Sequence, residues 1–214
     1  MRIICLSDTH WMFPQLVIPK CDMLLHCGDL EIKDFGEARK FSNWWNEIEC
    51  PLKIIVPGNH DRLMERQDVS DYFIDTMVLI NQQVTLPNGL CIAGTPYTPT
   101  FMNWSFMEDD IHLGKRMSCI TNDADIIMSH GPMKGIHDKV DPKYNCNEKH
   151  VGSNTLREIV NSLNQDKHRY MFHGHIHGQK DVARHTKFNN IDIYNVSVAD
   201  EDYKIAYKPL VLEL

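Results

Sequence analysis

Three imidazoles fall within five residues at His173, His175 and His177, with Gly174 between the first two. Neutral imidazole binds divalent transition metals, but it leaves the charge of the ion uncompensated, so a hydrolytic centre usually adds carboxylates. Candidates for the rest of such a centre are Asp8, His10, Asp29, Asn59, His60 and His130. The set offers nitrogen and oxygen donors and no thiolate, which fits Mn, Fe or Zn better than a structural zinc or an all-oxygen calcium site. It is also too large for one ion. Two divalent metal ions about 3.5 to 4 Å apart can share a carboxylate and polarise both the attacking and the leaving oxygen of a phosphoryl displacement. That arrangement gives one ion Asp8, His10 and His177, gives the other Asn59, His130 and His175, and makes Asp29 the bridge.

Donors so far apart in the chain need a rigid frame. Apolar runs at residues 1–6, 22–27, 53–56, 124–128 and 169–172 read as buried strands, and each leads into one of the donor groups. Ligands bind beyond the carboxyl ends of the strands in layered α/β sheets, so five such ends can converge on one crevice. Phe35, Ala38, Phe41, Trp44, Trp45 and Ile48 recur at helical spacing and predict a helix over 33–49. Further helices are expected over 108–120 and 155–163. Runs at 77–86 and 90–93 flank Pro87, Asn88 and Gly89 and read as a hairpin. A long polar loop is expected over 133–152, and two more strands over 192–198 and 204–214. The alternation of strands and helices predicts an α/β or α+β layered fold, and no repeat or linker divides residues 1–214 into more than a single domain.

At 214 residues, 43% hydrophobic and 24% charged, the chain has room for one sheet-based domain covered on both sides. No stretch reaches the roughly 18 apolar residues of a membrane span. Asp8 and His10 stand where a secretory signal needs its apolar core, so the expectation is a soluble, cytoplasmic protein with no membrane partner. Seven cysteines are an odd number without a C-x-x-C pair, which predicts reduced, mostly buried thiols. A net charge of −7 with no basic stripe argues against a long nucleic-acid duplex as partner. A small phosphorylated substrate is compatible with that charge, because bound divalent ions supply the local positive charge.

D-x-H at Asp8, G-D at Asp29, G-N-H-D over 58–61, S-H-G-P over 129–132 and G-H-x-H over 174–177 resemble the five motifs of the calcineurin-like metallophosphoesterase superfamily, in the family's order. The resemblance implies a four-layer α/β/β/α sandwich with mixed sheets and a dinuclear centre at the strand ends, and its metal ligands coincide with the assignment above. The aromatic segment 94–106 and the segment from His150 through Gly152 to Leu156 look similar to the small single-domain phosphodiesterase branch that includes the vertebrate metallophosphoesterase-domain proteins. That likeness favours a phosphodiester substrate, nucleotide-like or otherwise organic. A phosphomonoesterase or phosphoprotein phosphatase would use the same centre. A non-catalytic interaction scaffold of this fold would be expected to lose ligands or His60, and this chain keeps them.

His60 follows Asn59 on a turn, so it can face substrate and donate a proton to the leaving oxygen while a metal-bound hydroxide attacks phosphorus. Asp61 is expected to hold that imidazole charged and oriented. Trp11 and Trp104 are candidates to stack on a base or aryl group, and His150 to reach substrate if its loop folds back. The remaining histidines, His173 among them, are read as structural. Arg62 and Lys134 are cations that could contact phosphate or be solvated.

Overall fold

The computed structural model describes residues 1–140, 150–178 and 183–214. In chain order its strands are β1 (Arg2–Leu6), β2 (Met23–His26), β3 (Lys53–Ile55), β4 (Thr76–Val78), β5 (Gln82–Thr85), β6 (Cys91–Thr95), β7 (Thr98–Pro99), β8 (Met107–Glu108), β9 (Ile126–Ser129), β10 (Arg169–His173), β11 (His185–Phe188), β12 (Ile191–Asn195) and β13 (Leu210–Glu213). The helices are α1 (Phe35–Glu47), α2 (Arg62–Arg66), α3 (Leu113–Arg116) and α4 (Asn154–Ser162). One sheet has the order β13-β1-β2-β3-β4 and a second the order β11-β12-β10-β9-β6-β5. Strands β1 to β4, and β6, β9, β10 and β12, run parallel within each sheet, with antiparallel strands at β13, β11 and β5.

Alternation along the strands builds the layers. Ile3, Cys5, Leu25 and Ile54 of the first sheet share a buried cluster with Ile92, Ile126, Met128 and Phe172 of the second, so these faces oppose each other. Their neighbours Ile4, Leu24 and Ile55, and Ala93, Ile127 and Met171, fall instead in the cluster that holds Phe41 and Trp45 of α1 and Leu156 and Val160 of α4. The order is helix, sheet, sheet, helix, the expected sandwich. Both long helices begin on side-chain caps. Asp34 accepts from Glu37 N at 2.9 Å, and Ser153 accepts from Leu156 N at 2.9 Å.

Several expected elements differ. The run 77–86 is two strands on different sheets, with β4 closing the first and β5 opening the second. Leu79 is buried between the sheets, and Asn81 turns the chain at φ +54°, which asparagine tolerates. The hairpin itself forms over β5 and β6. The helix expected over 108–120 shrinks to the single turn of α3, because Met107 and Glu108 pair with β7 and Asp110 is committed to the start of α4. Its carboxylate accepts from Ser153 Oγ at 2.5 Å and Asn154 N at 3.0 Å. β11, antiparallel to β12, was not foreseen. The C-terminal strand is confined to β13 beyond Pro209.

The loop expected over 133–152 lies in part outside the described residues. Its described ends are fastened by one buried carboxylate: Asp138 accepts from Gly135 N at 2.9 Å and Gly152 N at 3.0 Å. Among the described residues Cys5, Cys21, Cys27 and Cys91 are buried free thiols, while Cys50 and Cys119 are partly buried. No described helix is long and apolar enough to cross a membrane.

Candidate metal centre

β1, β2, β3, β9 and β10 all release their chains at the same edge of the sandwich, and the turns that follow are strained. Asp8, His10, Asp29, Glu31 and His175 have φ of +55°, +42°, +58°, +69° and +66°. Left-handed non-glycine residues are costly, and a cluster of them marks a place where the fold holds side chains against backbone preference. Asp8 N donates to Gly28 O at 2.8 Å and His10 N to Asp29 O at 3.0 Å, which ties the first turn to the second. The Asp8 carboxylate accepts from His175 N at 3.0 and 3.2 Å, joining the two sheets. Two glycines make this approach possible. A Cβ on Gly58 would lie 2.3 Å from Asp29 Oδ1, and one on Gly174 would lie 2.2 Å from Asp8 Oδ2.

Among the described residues these turns assemble three donor groups that could each hold a metal ion: Asp8 with His10 and His177, Asp29 with His130 and His175, and His10 with Glu31 and His60, the last sharing His10 with the first. In the first, His10 Nε2 is 3.2 Å from His177 Nε2, which is 3.8 Å from Asp8 Oδ1. In the second, His130 Nε2 is 2.8 Å from Asn59 Oδ1 and 3.4 Å from Asp29 Oδ1. The other carboxylate oxygen of Asp29 is 3.9 Å from His10 Nε2, so this side chain faces both of these groups.

Hydrogen bonds behind the rings fix what the centre presents. His10 Nδ1 lies 2.7 Å from Glu31 Oε2, His177 Nδ1 2.9 Å from Asp200 O and His130 Nδ1 2.9 Å from Cys27 O. Each Nδ1 faces an acceptor and must carry the ring proton, so in the neutral rings each Nε2 is a bare lone pair. The lone pairs of His10 and His177 then face each other, and that of His130 faces the Asn59 carbonyl oxygen. Electron pairs opposed at such distances call for a cation between them, and donors held this way from behind are how proteins orient metal-binding histidines. Burial lowers His130 to about 4 and takes His175 well below the usual range, which favours the neutral form of these two rings. Asp29 is pushed up by burial and by the neighbouring Asp8 and Asp61 carboxylates, a cost that an adjacent cation relieves.

His60 lies beside the first two groups, with its backbone N donating to Asp29 Oδ1 at 2.9 Å. The carboxylate on its ring is Glu31, with Oε2 3.1 Å from Nδ1, and not the expected Asp61. Asp61 is occupied otherwise, accepting from Gly58 N at 2.7 Å, Ile32 N at 3.0 Å and Leu30 N at 3.2 Å, and so fastens the β2 and β3 turns together. Burial alone would lower the His60 pKa, but Glu31, Asp29 and Asp61 outweigh it and raise it to about 9. Glu31 is buried, serves His10 and His60 at once, and pairs with Lys33. The sequence reading missed it.

Trp104 stacks on His60, with centroids 4.3 Å apart, and Arg62 sits 5.4 Å from its ring. Trp11 is 57% exposed beside His10, with Lys33 4.8 Å from its ring centroid. His150 is held by Asp138 at 2.6 Å, and Lys134 donates to its carbonyl. His173 is turned away from the donor groups and bonds to His137 at 3.1 Å, as a structural residue would.

The family model described as "Calcineurin-like phosphoesterase" matches residues 1–179. Human "Metallophosphoesterase domain-containing protein 1" is 27% identical over 239 aligned residues, spanning 100% of this chain and 71% of that protein, and its mouse counterpart matches equally. The crystal structure of "Phosphopantetheinyl Hydrolase (PptH)" from Mycobacterium tuberculosis covers 91% of this chain and 88% of its own at a TM-score of 0.50. With 13% identity, that likeness is one of fold.

Proposed function

The chain belongs to the calcineurin-like phosphoesterase family, and we propose that it is a two-metal phosphodiesterase acting on a small nucleotide-like or other organic phosphodiester. Asp8, His10 and His177 would hold one ion and Asn59, His130 and His175 the other, with Asp29 reaching both. The observation that carries this reading is the approach of His10 Nε2 to His177 Nε2 at 3.2 Å, with the Nδ1 of each ring already facing an acceptor. When bound, such a pair of ions generates a nucleophile from water at neutral pH and withdraws charge from phosphoryl oxygens.

The chain supplies the rest. His60 donates a proton from Nε2, the nitrogen not engaged by Glu31, to the departing oxygen. Glu31 holds the His60 ring in that orientation while it fixes the tautomer of His10. Trp104 covers the His60 ring and limits its access to water. Trp11, at the exposed rim, is the indole available to a flat group of the substrate. Asp200, beyond the family match, holds His177, which supports treating residues 1–214 as one phosphoesterase domain.

The test is metal-stripped protein reloaded with Mn, Zn, Fe or Mg and assayed on cyclic nucleotides, linear diesters and monoesters. Two ions per chain and faster diester turnover are expected. Faster monoester turnover would make it a phosphatase with the same centre. Failure to take up ions or to cleave any ester would leave an interaction scaffold.

A further inference from the structure

Tyr203 lies beyond the family match, yet its ring reaches the centre. Its centroid is 4.8 Å from the His10 ring and 4.8 Å from the His177 ring, and 6.5 Å from that of His60. The interplanar angles with His10 and His177 are 60° and 80°, so the phenol is packed on them by tilted and edge contacts and not in a parallel stack. His10 is fully buried, whereas Tyr203 is 46% exposed, which puts the ring between the donor group and solvent.

The backbone goes out of its way to place it. Tyr203 has φ +56°, a conformation that costs energy for a bulky side chain. The turn is locked by Asp200, whose Oδ1 accepts from Asp202 N at 3.0 Å and Lys204 N at 2.9 Å. Its carbonyl accepts from Tyr203 N at 3.1 Å and from His177 Nδ1 at 2.9 Å. One peptide oxygen therefore sets both the tautomer of a candidate ligand and the position of the ring above it. A half-exposed tyrosine held in strain over this edge of the centre has the place of a substrate contact.

We propose that Tyr203 is a substrate-positioning residue that holds a flat, aromatic group of the ester against the His10 and His177 side of the centre. The proposal rests on the phosphoesterase reading. The test is calorimetric binding of phenylphosphonate and methylphosphonate to the metal-loaded full chain, for wild type, Tyr203→Phe and Tyr203→Ala, with metal content measured on each. Wild type and Tyr203→Phe should prefer the phenyl compound, and Tyr203→Ala should lose about 2- to 12-fold of that preference, the range of an aromatic contact, while keeping its ions. An unchanged preference in Tyr203→Ala would overturn the proposal. So would loss of ions from Tyr203→Ala, which would make the ring a structural prop for His10 and His177. Wild-type protein that binds ions but neither phosphonate, and cleaves no ester, would instead bring down the phosphoesterase reading itself.

Discussion

Replacing His26 with glutamine should remove a loss of stability of about 2 kcal/mol that the wild type suffers between pH 7.5 and pH 5. His26 is fully buried at the end of β2, behind the turns that carry Asp8 and Asp29. Gly28 N donates to its Nδ1 at 3.2 Å, so Nε2 carries the proton and donates to Thr9 Oγ1 at 3.0 Å. The neutral ring is satisfied, and a second proton would point at a backbone N–H. Burial, aided by the nearby His130 and His10 against Asp8, lowers its pKa from 6.5 to about 3. Below pH 6.5 the unfolded chain takes up a proton that the folded chain refuses. Stability from this group is therefore complete above 6.5 and falls as the pH drops toward 3, with a slope approaching 1.36 kcal/mol per unit. Glutamine cannot titrate and leaves the Gly28 N–H without its acceptor, at a pH-independent cost of about 1 to 3 kcal/mol. Urea unfolding of both metal-stripped proteins at pH 7.5, 6 and 5 isolates the effect, because all other histidines are common to the two. The stability gap should narrow by about 2 kcal/mol at pH 5. A gap that stays constant would refute the reasoning, since the ring would then titrate alike in both states.

His60→Ala should retain both ions by elemental analysis and lose turnover mainly on esters with poor leaving groups, and unchanged rates on such esters would remove it from the mechanism. Glu31→Gln should weaken metal retention or turnover by about 10- to 100-fold, as removal of an orienting carboxylate does; full activity would show that His10 and His60 need no such partner. Trp104→Ala should slow cleavage of nucleotide diesters and simple aryl phosphates alike, by about 2- to 12-fold, because it removes the stack on His60. A loss confined to nucleotide diesters would reassign Trp104 to base recognition.

The donors themselves were legible because each ends an apolar run, and the register of parallel strands carries such ends to one edge. Glu31 was not, since a glutamate two residues past Asp29 reads as surface until a backbone at φ +69° turns it inward. Asp61 helps keep His60 charged, as expected, but as a nearby charge and not as the partner that orients the ring. Adjacency to His60 suggested a ring partner, but side chains at consecutive positions point different ways, and three backbone N–H groups claimed its carboxylate. Asp200 and Tyr203 carry no motif, and that turn is brought to the centre by long-range contacts, the pairing of Gly178 with Asp200 and the bond from His177 Nδ1 to the Asp200 carbonyl. The run 77–86 carries Asn81, Gln82, Gln83 and Thr85 among its apolar residues, and the polar break at Asn81, where the backbone turns, is the signal of one sheet giving way to the other that a single-strand reading passes over.

His10 and His177 stand 167 positions apart and meet only when both sheets exist and the Asp8 carboxylate has joined them. An ion arriving on the nascent chain would find at most local pairs such as Asp8 with His10, and no complete donor group until both sheets had formed, in contrast to a zinc finger whose ligands lie close in sequence. On the two-metal reading, metal loading would then follow folding. On that reading, the ions bound would reflect the supply present after folding, and two batches of one sequence grown on different metals would differ in activity while sharing a fold.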